Sequence, residues 1–446
     1  MKNGSGWVIR NRRANVAYSS WRSKLGEHPN YPWLVVGLLW FSGFFNYADR
    51  QAVFSVFPLL ATEFKLDDEQ LGLLGSAFMV VYAFASPFSG YTVDVLSRRR
   101  LIALGLLFWS LICSATALAR GYYQLLFFRA AEGLGESFYF PASVSLLSDY
   151  HSPQTRSKAL GIHQTSVYLG TAGGAVFAGY IGQFYGWRAP FLILGTAGCA
   201  YAGLLALSLF DPPREQSPSE ADNSPPTSSD SVPRAPGAGT LFAKVSRIVT
   251  NPAAALLLTV FVGANFVAAI FLTWLPSYIF RRFDLGVANA SFTSTFWPLA
   301  SLPGAIAGGF AADWMSRRSP GGRIKVQSAG LILAAPFVFL TGWTSTLPVL
   351  IIALIGAGLC KGIYDSNIFA SLFDVIAPVD RGTAAGLMNT LGWTGAFVAP
   401  WVFAKISLRF GMGVTIGATA AVYLVGGLVA LAAARIADLR PVPGAR

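Results

Sequence analysis

The chain has 446 residues, 54% of them hydrophobic and only 12% charged, with a formal net charge of +12 at pH 7 and a mean hydropathy of +0.51. A soluble domain carries about 25% charged residues, so this composition excludes an ordinary soluble protein and points to the bilayer. The three cysteines and three histidines are too few for a disulfide scaffold or a rich metal centre.

Residues 1–32 are polar and basic, with Lys2, Arg10, Arg12, Arg13, Arg22 and Lys24. No apolar core with a small-residue cleavage site precedes the first long apolar run, so no cleavable signal is expected. Twelve apolar runs follow, at about 33–58, 70–93, 101–119, 122–147, 158–182, 188–210, 252–280, 288–312, 325–343, 347–373, 383–405 and 411–434. Each is near the roughly 20 helical residues that span a bilayer. Glycine is frequent inside them, which suits close helix–helix approach in lipid. Strand-length alternation is not the dominant pattern, which argues against an outer-membrane barrel. Residues 211–240 are rich in Pro and Ser, with Asp and Glu, as a solvated linker would be. Lys244–Asn251 reads as a short amphipathic helix entering the seventh run. The organisation expected is a polar segment at 1–32, a six-helix bundle at 33–210, a linker at 211–250, a second six-helix bundle at 251–437 and a tail at 438–446.

The basic residues are distributed by side. Lys65, Arg120, Arg188, Arg281, Arg282, Lys405 and Arg409 fall on one side of the runs. Arg50, Arg129 and Lys361 lie within runs, and all other Lys and Arg fall on the side of the termini. By the positive-inside rule both termini are cytoplasmic, in a plasma (inner) membrane. The positive charge is thus an orientation signal, and nucleic acid is not an expected partner.

Charges inside the runs carry the chemistry. A charge near the bilayer centre costs about 2.5–3.5 kcal/mol even on insertion scales, so it faces a cavity or a partner. The first run holds Asp49-Arg50. The fourth holds Arg129, Glu132 and Glu136 on one helical face, and the tenth holds Lys361 and Asp365 one turn apart. Burial favours a neutral carboxyl and a nearby cation favours the ionised one, so Asp49 and Glu136 can trade protons as cations come and go. A static ion-pair network is the competing reading. Glu132 can pair simply with Arg129, and Lys361 can neutralise Asp365. Polar candidates for a cavity wall include Tyr47, Tyr82, Asn265, Trp274 and Tyr278. His163 reads as a hydrogen bonder between helices. Cys113, Cys199 and Cys360 all lie in runs and read as packing residues.

Half of the chain repeats the other half. Gly90, Asp94, Ser97, Arg98 and Arg99 match Gly309, Asp313, Ser316, Arg317 and Arg318 without a gap, and the same offset carries Asn46-Tyr47 onto Asn265-Phe266. The duplicated Gly-x-x-x-Asp stretch with trailing arginines resembles the signature of the major facilitator superfamily. The resemblance implies an all-α membrane protein with twelve transmembrane helices in two pseudo-symmetric six-helix bundles, with helices 1, 4, 7 and 10 around a central cavity. It implies gating contacts at Gly90, Asp94, Arg98, Gly309, Asp313 and Arg317, with the glycine allowing helices to approach and the arginines pairing with the aspartate. Val95 and Ser97 depart from the usual pattern.

Asn46-Tyr47-Ala48-Asp49-Arg50 is similar to a motif shared by anion:cation symporters and Spinster-like transporters, as is Arg129-x-x-Glu132-Gly133-x-Gly135-Glu136. Phe271–Pro276 leans to the symporters. Ser145–Tyr150 and Tyr185–Arg188 lean to the Spinster-like chains. The symporter resemblance implies Asp49 and Glu136 as proton sites and Arg50 as a substrate-anion or gating partner. With Tyr47, Arg129, Asn265, Lys361 and Asp365 these make the expected site.

The function expected is proton-coupled symport of a small organic anion, a sugar acid or carboxylate, by a monomer using alternating access. A Spinster-like carrier of lysophospholipid or another amphiphile is the alternative. No Gly-x-x-x-x-Gly-Lys-Ser/Thr loop or His-Glu-x-x-His pair is present, and no Ser-His-Asp set suggests itself. No cofactor or metal is expected, and a polytopic membrane enzyme is the remaining alternative class.

Overall fold

Lipid cannot satisfy backbone polar groups, so apolar runs of this length must fold as helices that bond internally. In a computed structural model of the chain, residues 28–211 and 238–439 are described. The first half contains α1 (Tyr31–Ser55), α2 (Phe57–Phe64), α3 (Asp68–Val95), α4 (Arg98–Thr116), α5 (Tyr122–Glu136), α6 (Tyr139–Tyr150), α7 (Pro153–Tyr185) and α8 (Arg188–Ser208). After the linker come α9 (Ala238–Thr250), α10 (Pro252–Phe283), α11 (Val287–Ser294), α12 (Phe296–Ser316), α13 (Gly322–Trp343), α14 (Leu347–Asp365), α15 (Ile368–Val375), α16 (Arg381–Phe410) and α17 (Met412–Leu439).

Eight described spans are long and apolar enough to cross a membrane by length and composition. The other four expected runs form α1–α2, α5–α6, α7 and α11–α12, three of them interrupted at Val56, Ser137-Phe138 and Thr295. They are less apolar because they turn polar and small residues toward protein rather than lipid. Helix starts are chemically marked. Asp67 accepts from the Gln70 amide at 2.8 Å while Gln70 Oε1 accepts from the Asp67 amide at 3.1 Å, a capping box. Ser97 caps α4 and Asn251 caps α10.

The duplication read from the sequence is present in the packing. In the first half α1 lies on α7, α3 on α5 and α4 on α8. In the second, α10 lies on α16, α12 on α14 and α13 on α17, which are the same three pairings. The halves meet through α3 on α16 and through α7 on α11, again a matched pair. The backbone repeats as well. Lys65 and Asp284, at φ of 53° and 50°, end the first span of each half (α1–α2 and α10), and Gly186 and Gly411, at 84° and 81°, precede the last. At the offset of the repeat, the break at Val56 falls on Leu275, next to Pro276 inside α10.

Contacts between the halves lie toward the end away from the termini. Arg281 donates to both carboxylate oxygens of Asp68 at 2.8 and 2.7 Å. Lys405 reaches Glu69 at 2.8 Å, and Gln183 accepts from the Ala288 amide at 2.9 Å. An apolar cluster including Phe54, Phe57, Trp274 and Phe403 continues this seal. A separate cluster, with Leu39, Trp109, Tyr139 and Leu205, fills the terminus side of the first half.

At that terminus side each half has its own ion pair. Arg98, opening α4, pairs with Asp149 of α6. Arg323, opening α13, pairs with Asp374 of α15 at 2.9 Å and with Asp313 at 3.4 Å. Arg247 of α9 donates to Asp380 at 2.8 and 3.1 Å, and this hydrogen-bonded guanidinium holds the Asp380 carboxyl below its usual range. The helix expected at Lys244–Asn251 is the second half of α9.

Glycines set the helix spacing. A Cβ on Gly174 of α7 would lie 2.4 Å from the Ala48 backbone of α1. Gly174→Val should therefore force these helices apart, at a cost of about 1–3 kcal/mol, and lower the melting temperature of purified protein. Gly161→Ala, where nothing lies within 4 Å, should not. An unchanged melting temperature for Gly174→Val would refute the close approach.

Candidate functional site

Helix packing drives the charged residues inward. On α5, a Cβ at Gly133 would come within 2.5 Å of the Phe78 carbonyl, and one at Gly135 within 2.6 Å of the Phe108 ring. This helix is therefore clamped between α3 and α4, and its charged face points into the bundle. Ala48 pressed against Gly174 fixes the rotation of α1 and brings Asp49 and Arg50 toward that face. Asp49, Arg129, Glu132 and Glu136 are all buried, at 4% exposure or less.

Arg50 keeps 12% of its side chain open and is the accessible member. Its Nη2 and Nε donate to Glu136 Oε2 at 2.5 and 3.0 Å, and Nη2 also donates to Asn46 Oδ1 at 3.1 Å. The guanidinium carbon stands 4.5 Å from the Tyr47 ring centre, 4.7 Å from Phe78 and 5.1 Å from Tyr82. Such contacts stabilise a desolvated cation by about 2 kcal/mol. Arg129 stands 4.7 Å from the same Phe78 ring and donates to Glu132 Oε2 at 2.5 Å.

Asp49 differs from its neighbours. Its Oδ1 accepts from the Arg50 backbone amide at 2.7 Å, but among the described residues Arg50 pairs with Glu136 and Arg129 with Glu132, with no ion pair to Asp49. Oxygens of Asp49 and Glu132 and the Cys113 sulfur lie within 4.8 Å of one another. These three donors are the described group nearest to a metal site. Glu132 Oε2 is already held by Arg129, and two guanidiniums sit beside the group, so its charge suits a proton better than a divalent cation. Among the described residues, the buried Glu132 Oε1 and Glu136 Oε1 meet no hydrogen-bond partner.

In the second half Lys361 Nζ donates to both oxygens of Asp365 at 2.6 and 2.5 Å. Their side chains are 13% and 20% exposed. Across the halves, the Tyr82 ring of α3 lies 4.4 Å from the Trp393 ring of α16 between centroids, tilted by 41°.

The expected residues thus divide into groups. Asp49, Arg50, Arg129, Glu136 and Tyr47 come together around Phe78, a residue that apolar patterning alone does not distinguish from core. Lys361 and Asp365 form a separate pair. Asn265 is half-buried and donates to Phe261 O of its own helix at 2.9 Å, since α10 has no counterpart of Asp49-Arg50. Two cavity-wall candidates are tied to backbone carbonyls. Trp274 is fully buried, with Nε1 on the Pro400 carbonyl at 3.0 Å, and Tyr278 bonds the Thr341 carbonyl at 2.9 Å. His163 bonds Tyr139 at 2.9 Å between helices.

Of the gating contacts, the described one at Asp313 differs from expectation. Arg98 pairs with Asp149, and Asp313 pairs with Arg323 rather than Arg317. The side chains of Gly90 and Asp94 lie outside the described residues. Gly309 has open space where a Cβ would stand, while Gly308 would meet Ile363 at 2.6 Å. One residue rotates the side-chain direction by about 100° on a helix, so the neighbouring glycine makes the close approach.

The Major Facilitator Superfamily profile matches residues 39–400. A hexuronate transporter of Bacillus subtilis (strain 168) is 26% identical over 426 residues, covering 92% of this chain and 95% of that protein. Protein spinster homolog 1 of Homo sapiens is 26% identical over 410 residues, covering 86% of this chain and 74% of that protein. Among solved structures, a bacterial homologue of the human lysosomal transporter Spinster, in an inward-facing and unoccupied conformation, superposes with a TM-score of 0.79. It is 21% identical and covers 94% of this chain and 100% of its own.

The Arg129–Glu132 pair tests how the charges are held. Arg129→Leu should strand a buried carboxylate and cost about 3–5 kcal/mol, whereas Arg129→Leu with Glu132→Leu should recover most of that. Melting temperatures of the purified variants report it. A double variant no more stable than the single would contradict the pairing.

Proposed function

Because this chain belongs to the Major Facilitator Superfamily and is a multi-pass membrane transporter, we propose that it carries a small organic anion, a sugar acid or related carboxylate, together with protons. One observation supports this most. The buried cluster holds three acids, Asp49, Glu132 and Glu136, against two guanidiniums, Arg50 and Arg129. A surplus negative charge in a low-dielectric site is costly, and one proton removes it. Asp49, the acid outside both ion pairs, is where that proton resides.

Substrate then enters by replacing an internal anion. A substrate carboxylate meets the open edge of Arg50 and competes with Glu136 for the fork, which recognises either one bidentately. Displaced, Glu136 has lost its cation and takes a second proton. Anion and proton therefore enter together, without an added net charge in the cluster. Tyr47 and Tyr82 flank the guanidinium and shape the space beside it. Lys361 is the second cation, with Asp365 as its internal counter-ion while no substrate is present.

The access cycle follows from the packing. With the termini cytoplasmic, the seal built on Arg281–Asp68 and Lys405–Glu69 closes the outer end, and the site faces inward. The pairs Arg98–Asp149 and Arg323–Asp374, together with Asp313, brace the inner ends of each half as it rocks against the other. The resemblance to the hexuronate transporter supports the anionic substrate. The resemblance to protein spinster homolog 1 keeps the second reading, a Spinster-like carrier of lysophospholipid or another amphiphile.

In sealed vesicles under a pH gradient, Asp49→Asn and Glu136→Gln should each reduce uptake of a hexuronate to background while the protein stays folded. Wild-type accumulation by both variants would end the proton assignment. Hexuronate stabilisation of purified wild-type protein, with no response to lysophospholipid, would separate the first substrate reading from the second.

Arg50→Lys keeps the charge but loses the planar fork. It should weaken anion affinity by about tenfold or more, or ~1.4 kcal/mol, as read by a binding titration. Near-normal affinity would mean that Arg50 contributes charge alone.

A further inference from the structure

Two hollows, walled mainly by the second half with Asp68 of the first at the edge of one, run into one another at the end away from the termini. The first is a cleft of about 600 Å³ whose wall includes Asp68, Arg281, Arg282, Trp343 and Phe410. The second is a groove of about 770 Å³ between α13 and α17, walled by apolar groups such as Pro336, Phe339, Ala418 and Leu424. Gly342, Trp343, Gly413 and Val414 line both. They join because α13 and α17 cross on glycine. A Cβ on Gly342 would stand 2.2 Å from the Gly413 carbonyl, so no side chain closes the upper end of the groove.

The chemistry changes along this path. The cleft has two arginines against one aspartate, an excess of positive charge. The groove offers hydrocarbon along its length. Trp343 and Phe410 are 69% and 64% exposed at the junction, as aromatic residues are at a membrane–water interface. A soluble anion would leave the groove unused, and a neutral lipid would leave the arginines unused.

We propose that this surface binds one anionic phospholipid, with its phosphate on Arg282 and Arg281 and an acyl chain in the groove between α13 and α17. Arg281 then has two rivals. Its guanidinium holds Asp68 of the first half at 2.8 and 2.7 Å, and a phosphate accepts the same fork. Lipid binding competes with a contact that closes this end of the transporter. The lipid is thereby a regulator of the conformational balance, independent of which substrate is carried.

The test is retention of lipid by the purified full chain, read by native mass spectrometry after incubation with phosphatidylglycerol. Wild type should retain one phosphatidylglycerol and much less phosphatidylcholine. Arg282→Gln and Ala418→Trp, both at exposed positions, should lower retention several-fold, one by removing charge and the other by filling the groove. Asp68→Asn should raise retention by freeing Arg281, a gain that misfolding does not produce. Equal retention by wild type and the two loss variants overturns the site, as does equal retention of the two lipids. Loss of bound phosphatidylglycerol to equimolar glycerol 3-phosphate would assign the cleft to a free phosphate instead. No rise with Asp68→Asn overturns the competition with the closing contact.

Discussion

The constraint on which this protein turns is a buried charge count that does not close. Three carboxyls and two guanidiniums share the interior of the first half, and the membrane around them makes each unbalanced charge costly. Pairing Arg50 with Glu136 and Arg129 with Glu132 leaves Asp49 over. A soluble protein would leave such a group at the surface. Here the helix rotations set by Ala48 against Gly174 and by Gly133 against Phe78 allow no such escape. The cluster is therefore neutral only when it holds something the chain does not supply.

The two guanidiniums are not equivalent, although both face Phe78 at 4.7 Å. Arg129 is enclosed and tied to an acid on its own helix, so it stabilises α5 in place. Arg50 is tied to an acid on a different helix and retains an open edge. The first pair is architecture, and the second has the geometry of a replaceable contact. In the second half Lys361 and Asp365 balance each other on one helix. The halves share a scaffold to the level of matching positive-φ residues, yet their charges have diverged. Duplication preserved how helices pack, and the most deeply buried charges lie in one copy.

Much of this architecture was legible in the sequence. Twelve apolar runs predict the helices because backbone groups in lipid have no other general solution. The repeat from Gly90 to Arg99 and from Gly309 to Arg318 predicts two like halves, and the observed pairings agree. The charged set was legible for the same reason: an acid or a base within an apolar run is conspicuous. Its helical faces follow from 3.6-residue periodicity, which places Arg129, Glu132 and Glu136 together.

Partner choice was decided by the tertiary structure. Nothing in the local sequence names Asp149 as a partner of Arg98, but α4 and α6 pack so that the two meet. Gly309 belongs to the repeated motif, but Gly308 faces the neighbouring helix. Tyr278 and Trp274 have the composition of cavity residues and are held by carbonyls inside the second half. Local sequence determines which residues are polar, which segments span and which side chains share a face of one helix. The rotation of each helix against its neighbours comes from contacts between residues far apart in the chain, such as Ala48 with Gly174. That rotation decided which acid was left without a cation.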